Sequence, residues 1–136
     1  MEGLTIGELA KRGQVHLETI RYYEREGLIL PPPRKSSGHR VYSPTAVRRL
    51  HFIKRAQNLG FSLAEIKELL ALKLHPDQLC TDAVKSIEVK LQEVKEKIRQ
   101  LRAIERTLTR MKDSCDGNRL VSDCAILESL DRWERS

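Results

Sequence analysis

A row of apolar residues at heptad spacing restricts this chain more than any other feature. Val84, Ile87, Leu91, Val94, Ile98, Leu101 and Leu108 follow one another in alternating steps of three and four, with only Glu105 out of pattern. Steps of that kind keep one face of a long helix apolar over more than three heptads. The helices expected before residue 73 are just large enough to cover one another, so the stripe has no partner in its own chain and its burial requires a second copy. Seven such side chains at ~1.5–3 kcal/mol each set an upper bound of roughly 10–20 kcal/mol per protomer before ordering entropy is subtracted. The expectation is an obligate homodimer.

What surrounds the stripe must be economical, because 136 residues allow one compact domain and an extension. With 4% aromatic and 32% charged residues, the composition suits helices better than sandwiches or barrels. No run approaches the ~18 apolar residues of a membrane span, and Met-Glu-Gly-Leu-Thr lacks the basic and apolar segments of an export signal. A cytoplasmic protein with no membrane association is expected. The three cysteines are odd in number and form no Cys-x-x-Cys pair, so a disulfide framework is not expected either. A phosphate-cradling glycine loop, a paired-carboxylate site and a nucleophile elbow are all missing from the sequence, so no enzyme is expected.

Thr5 with Glu8 three residues later opens a capping box for a first short helix carrying Ile6, Leu9 and Ala10, which Gly13 ends. A second helix runs from Leu17 to Glu26 with Leu17, Ile20 and Tyr23 inward, closed by Gly27. Two short helices across a tight turn read as a helix-turn-helix. Pro31-Pro32-Pro33 is a stiff arm, and residues 34–42 read as a small two-stranded wing around Ser36-Ser37-Gly38. Ser43-Pro44 reads as an N-cap followed by proline at the first helical position, before Val47, Leu50, Ile53 and Leu59. Gly60 stops that helix, and Ser62 with Glu65 caps the next, which carries Ile66, Leu69 and Leu70. The expected organisation is a mainly α fold. A winged helix-turn-helix DNA-binding domain over 1–73 precedes a linker and dimerisation helix over 74–112, and a metal-binding loop with a short helix over 113–136.

Charge agrees with that division. Residues 1–73 hold 13 Lys and Arg against 7 Asp and Glu, so the whole net charge of +6 lies there. Confined charge of that kind is the footprint of a phosphate-backbone binder. In a helix-turn-helix the second helix enters the major groove, which makes Glu18, Thr19, Arg21 and Tyr22 the candidate readers, with His39, Arg40 and Tyr42 added from the wing. Arg34, Lys35, Arg48, Arg49, Lys54 and Arg55 thicken the positive surface.

The thiols Cys80, Cys115 and Cys124 stand at the ends of the long helix. Taken as residues 82–112, that helix is about 45 Å long, so Cys80 and Cys115 of one chain cannot share an ion. If two such helices pack antiparallel, Cys80 of one subunit meets Cys115 and Cys124 of its partner. Three sulfurs favour a soft metal: Zn(II) wants a fourth ligand, whereas Hg(II) accepts two or three thiolates. Cadmium, lead and zinc stay open, with Asp113, Asp116 or Asp123 as oxygen donors. So do a thiol redox sensor on the same dimer and a DNA-bending protein without an effector.

The stretches T-I-G-E-L-A, V-H-L-E-T-I-R-Y-Y-E, G-L-I, G-H-R-V-Y-S and L-G-F-S-L-A-E-I stand in the order seen in MerR-type transcriptional regulators, which the chain resembles over nearly its whole length. The resemblance implies a winged-helix DNA-binding domain on an antiparallel coiled-coil dimer. It further implies a promoter with an over-long spacer, repressed without metal and opened to RNA polymerase when metal binding twists and bends the DNA. Cys115-x8-Cys124 with the distant Cys80 is similar to the mercury-responsive branch. The loop between Cys115 and Cys124 lacks the histidine and second adjacent cysteine of zinc-responsive members, and copper-type members lack a thiol at the position matching Cys80. His16 departs from the Asn, Ser or Thr that often stands there, which implies weaker capping of the second helix.

Overall fold

The computed structural model describes residues 3–32 and 41–132. Six α-helices and one 3-10 turn form its secondary structure, so the expected mainly α architecture is the one observed. The chain divides into two compact units, Met1–Ile87 and Glu88–Ser136. In the first, α1 (Ile6–Gly13) and α2 (Leu17–Arg25) are followed by α3 (Thr45–Asn58) and α4 (Leu63–Leu72); α5 (Thr81–Asp113) begins there and continues through the second.

Both capping boxes form. The Thr5 amide donates to Glu8 Oε1 at 3.0 Å while the Glu8 amide donates to Thr5 Oγ1 at 3.1 Å. Ser62 and Glu65 repeat the exchange at 2.7 and 3.2 Å. Each box satisfies amides that a helix start leaves without intrahelical partners.

α1 ends at Gly13, as expected. The left-handed residue is Gln14, at φ 55° and ψ 43°, while Gly13 completes the helix. Gly13 is needed for a different reason: a Cβ there would come within 2.7 Å of Leu50 Cδ1 on α3, a side chain with no exposed surface. Lys54 Nζ then donates to the Gln14 carbonyl at 3.0 Å, placing a cation at the negative end of α1. Where α2 ends, Gly27 takes the positive φ of 78° that the sequence assigned to it.

α3 starts one residue later than Ser43-Pro44 implied. Pro44 itself is the N-cap, and the Ser43 carbonyl accepts the Ala46 amide at 2.9 Å. Leu59, beyond the end of this helix, is 59% exposed, and Phe61 is buried in the core instead. Leu9, Ile20, Leu28, Leu50, Ile53 and Ile66 are fully buried, bringing every helix from α1 to α4 into one core. Each such side chain contributes ~1.5–3 kcal/mol of burial. Of the expected wing, residues 34–40 lie outside the described residues. At its far end Tyr42 and Leu4 exchange backbone hydrogen bonds, both 2.7 Å, in an isolated antiparallel bridge.

α5 is 33 residues, about 50 Å at 1.5 Å per residue, and none of them is buried. The seven seam residues are between 39% exposed at Val94 and 64% at Leu101. None of the described helices is long and apolar enough to cross a membrane. After α5, Gly117 takes φ 85° and the Asn118 amide donates to Asp116 Oδ1 at 3.0 Å, forming an Asx turn. The 3-10 turn Val121–Asp123 leads into α6 (Ala125–Asp131). Trp133 lies outside the described residues.

Candidate functional site

With Ile20 and Tyr23 buried and Leu17 packed against the core, the opposite face of α2 turns outward. Glu18, Arg21 and Tyr22 are exposed and Thr19 is half-buried, so the four residues expected to read DNA from this helix all reach one side of it. Arg21 lies 3.8 Å from Glu18, and both side chains are mostly exposed. Such a pair contributes at most ~1 kcal/mol, leaving the guanidinium free to exchange a carboxylate for a guanine edge or a phosphate. Arg25 belongs to the same face, 6.0 Å from the centre of the Tyr22 ring. The sequence reading missed it, although its position four residues after Arg21 places it one turn along the same face.

Tyr42 requires a correction. It was expected among the DNA-contacting residues, but it is 2% exposed and its hydroxyl donates to Glu24 Oε2 at 2.8 Å. The alternation of residues 39–42 gave the wing a plausible outer face without fixing which face the adjoining core would take. His39 and Arg40 lie outside the described residues, as do Arg34 and Lys35. Two members of the expected basic surface have structural partners: Lys54 at the end of α1, and Arg49, whose Nε donates to the Leu28 carbonyl at 2.8 Å. Arg48 and Arg55 remain exposed on α3.

The structure brings Cys115 and Cys124 together. Cys115 follows α5 and Cys124 is the N-cap of α6, both half-buried. The Leu127 amide at the start of α6 holds the Cys124 thiol below its ordinary value, against the opposing effect of desolvation and with help from the Ile126 amide and the Cys115 thiol. Amide dipoles and a neighbouring S–H favour the thiolate, which is the metal-binding form. Cys80 belongs to the other unit, where it is exposed and its carbonyl accepts the Val84 amide at 3.0 Å in the first turn of α5. Among the described residues, no three His, Cys, Asp or Glu side chains of one chain gather into a group able to hold a metal.

Residues 4–73 match the family model described as MerR HTH family regulatory protein, and residues 47–111 match the model described as MerR, DNA binding. The chain belongs to the MerR family. It is 46% identical over 125 residues to the mercuric resistance operon regulatory protein of Bacillus cereus, covering 92% of this chain and 95% of that one. A mercury(II)-bound MerR from Bacillus megaterium is 41% identical and superposes with a TM-score of 0.74, covering 95% of this chain and all of the other. A lead(II)-bound transcription regulator from Ralstonia metallidurans is 36% identical with a TM-score of 0.84, over 93% and 98% of the two chains. MerR proteins are transcription regulators, not enzymes.

Proposed function

We propose that this MerR-family chain is a homodimeric, metal-responsive regulator of a metal-resistance operon and that its effector is Hg(II). Cys80 of one protomer would hold the ion together with the partner's Cys115 and the partner's Cys124. The carrying observation is the pairing of Cys115 with Cys124, the N-cap of α6, where amide donors favour a thiolate, with no third metal-ligating side chain of the same chain gathered beside them among the described residues. Sulfur donors without histidine fit a soft, thiophilic ion. The mercury regulators among the relatives support Hg(II) over lead, cadmium or zinc, while the lead-bound relative keeps lead within the same chemistry.

The half-exposed seam supports the dimer, and its spacing accommodates the antiparallel pairing that the three thiols require. Setting Val84 against the partner's Leu108 also sets Ile87 against the partner's Glu105, Leu91 against the partner's Leu101 and Val94 against the partner's Ile98. Every seam position then has an opposite number. Glu88 falls beside the partner's Arg102, an opposite-charge pair flanking the seam. In the same register Cys80 stands level with the partner's Lys112, within one turn of the partner's Cys115. An ion joining the two ends of the coil stabilises whichever arrangement of the DNA-binding halves suits those three sulfurs, and shifts the dimer only by that difference in affinity. The output is a twist and bend of promoter DNA with an over-long spacer, which allows RNA polymerase to engage both elements in a cytoplasmic setting.

Serine substitution at Cys80, Cys115 or Cys124 is expected to abolish mercury-dependent reporter output while DNA binding persists. Competition binding across Hg(II), Pb(II), Cd(II) and Zn(II) ranks the ions. A retained mercury response in all three single variants overturns the assignment. Peroxide-driven activation without metal, lost in the same variants, identifies a thiol redox sensor instead.

A further inference from the structure

We infer that Arg25 is a phosphate-contacting residue at the far end of the recognition helix, and that the ring of Tyr22 is the positioning group that holds its guanidinium ready. This rests on the DNA-reading role of α2 given above. Glu18, Arg21, Tyr22 and Arg25 recur at helical spacing along the exposed side of α2. The helix has nine residues, about 13 Å at 1.5 Å per residue, close to the ~12 Å width of the major groove. A helix whose first turn reaches base edges therefore carries its last turn to the rim of the groove, where the phosphates stand. Arg25 occupies that last turn, about 6 Å along the axis beyond Arg21.

The two guanidiniums of this face are held differently. Arg21 lies 3.8 Å from the Glu18 carboxylate and must give it up before taking a base edge or a phosphate. Arg25 is exposed and has no carboxylate partner among the described residues; its side chain meets the Tyr22 ring, with 6.0 Å between the guanidinium carbon and the ring centre. Stacking occupies the flat face of a guanidinium and leaves the N–H donors at its edge for an anion. It also removes beforehand part of the rotamer freedom that a long side chain loses on binding. The ring is itself supported. Its centre lies 6.0 Å from that of Tyr23, the two planes tilted by 43°, and Tyr23 is buried with its hydroxyl donating to Gln57 Oε1 on α3. Support thus runs from α3 through two aromatic rings to a cation. A phosphate contact made there supplies affinity and orientation and carries no sequence information.

The test measures fluorescence anisotropy of the full-length protein on two duplexes, one selected by the wild-type protein from a randomised pool and one scrambled to the same composition, between about 50 and 200 mM salt. Arg25→Ala is expected to weaken binding to both duplexes by the same factor, more than about tenfold, because a dimer loses two charged contacts. The slope of log affinity against log salt should become shallower by about 2, a change that a merely structural arginine would not produce. Arg25 is exposed, so the urea midpoint of the free protein should stay nearly unchanged. The positioning role is read by repeating Arg25→Ala in two Tyr22 backgrounds, where each double variant is compared with its own single Tyr22 variant and any contact of Tyr22 itself cancels. Tyr22→Phe keeps the ring and should preserve the Arg25→Ala loss; Tyr22→Leu removes it and should reduce that loss to less than about threefold. An unchanged affinity and slope in Arg25→Ala, a loss confined to the selected duplex, or an undiminished loss in the Tyr22→Leu background overturns the inference. Failure of the wild-type protein to enrich any duplex overturns the DNA-reading role of α2 itself.

Discussion

Leu91 lies about a third of the way along the open face of α5 and is 48% exposed on the single chain. Pairing with a second chain removes about half of its side chain from water, worth ~1 kcal/mol of the ~1.5–3 kcal/mol of full burial. In a two-fold dimer each substitution enters twice. Leu91→Asp therefore forfeits ~2 kcal/mol of apolar contact per dimer and sets two carboxylates among apolar side chains, each at a desolvation cost of several kcal/mol. A combined loss above ~4 kcal/mol raises the dimer dissociation constant more than a thousandfold. Val89 is the control: it lies on the same helix off the stripe, 57% exposed. Sedimentation velocity from nanomolar to micromolar protein should show Leu91→Asp as a monomer and Val89→Asp indistinguishable from the parent. A Leu91→Asp dimer with a dissociation constant within tenfold of the parent refutes the seam, as does dissociation of Val89→Asp to the same degree.

Gly13→Ala brings a Cβ to 2.7 Å from Leu50 Cδ1, so urea unfolding should show a loss of about 1–3 kcal/mol as Leu50 leaves its place. Ser62→Ala removes the hydroxyl that accepts the Glu65 amide and should lower stability by ~1 kcal/mol in the same assay. The α6 amides, led by Leu127, hold the Cys124 thiol below its ordinary value. Its alkylation by iodoacetamide, followed by mass spectrometry, should have a midpoint pH below that of the urea-unfolded chain. The sign for stability follows: the contribution is present above the unfolded thiol value and fades as pH falls through the lowered folded value. Coincident folded and unfolded midpoints would remove the amide effect.

Elements whose physics is local could be read before any coordinates. Thr5-Glu8 and Ser62-Glu65 state their capping boxes in four residues, and Gly27, Gly60 and Gly117 occur where the backbone turns left-handed. Features that depend on a distant neighbour were not legible. Gly13 looked like a turn residue because its contact, Leu50, is on another helix; Tyr42 looked like a surface aromatic because Glu24 is eighteen residues away. Lys54 and Arg49 looked like DNA-facing cations, although the Gln14 and Leu28 carbonyls of the same chain accept their N–H groups. The proximity of Cys115 and Cys124 could be anticipated from the turn at Asp116-Gly117-Asn118, but the amide donors at Cys124 required the start of α6 to be known.

Glu105 is the one charged residue in an otherwise apolar row, and the proposed antiparallel register would set it against the partner's Ile87. A glutamate there, one layer from the end of the coil, can carry its carboxylate out to water along its stem and so weakens this dimer modestly, whereas a slipped alignment that moves it towards the middle layers costs more. It also bears on mispairing. Cells carrying several paralogous regulators must keep their coils from exchanging strands, and an acid tolerated in one alignment but costly in others provides that selectivity by exclusion. Restoring leucine at Glu105 would thus be expected to yield a tighter and more promiscuous coil, one that forms mixed dimers with foreign stripes the parent rejects.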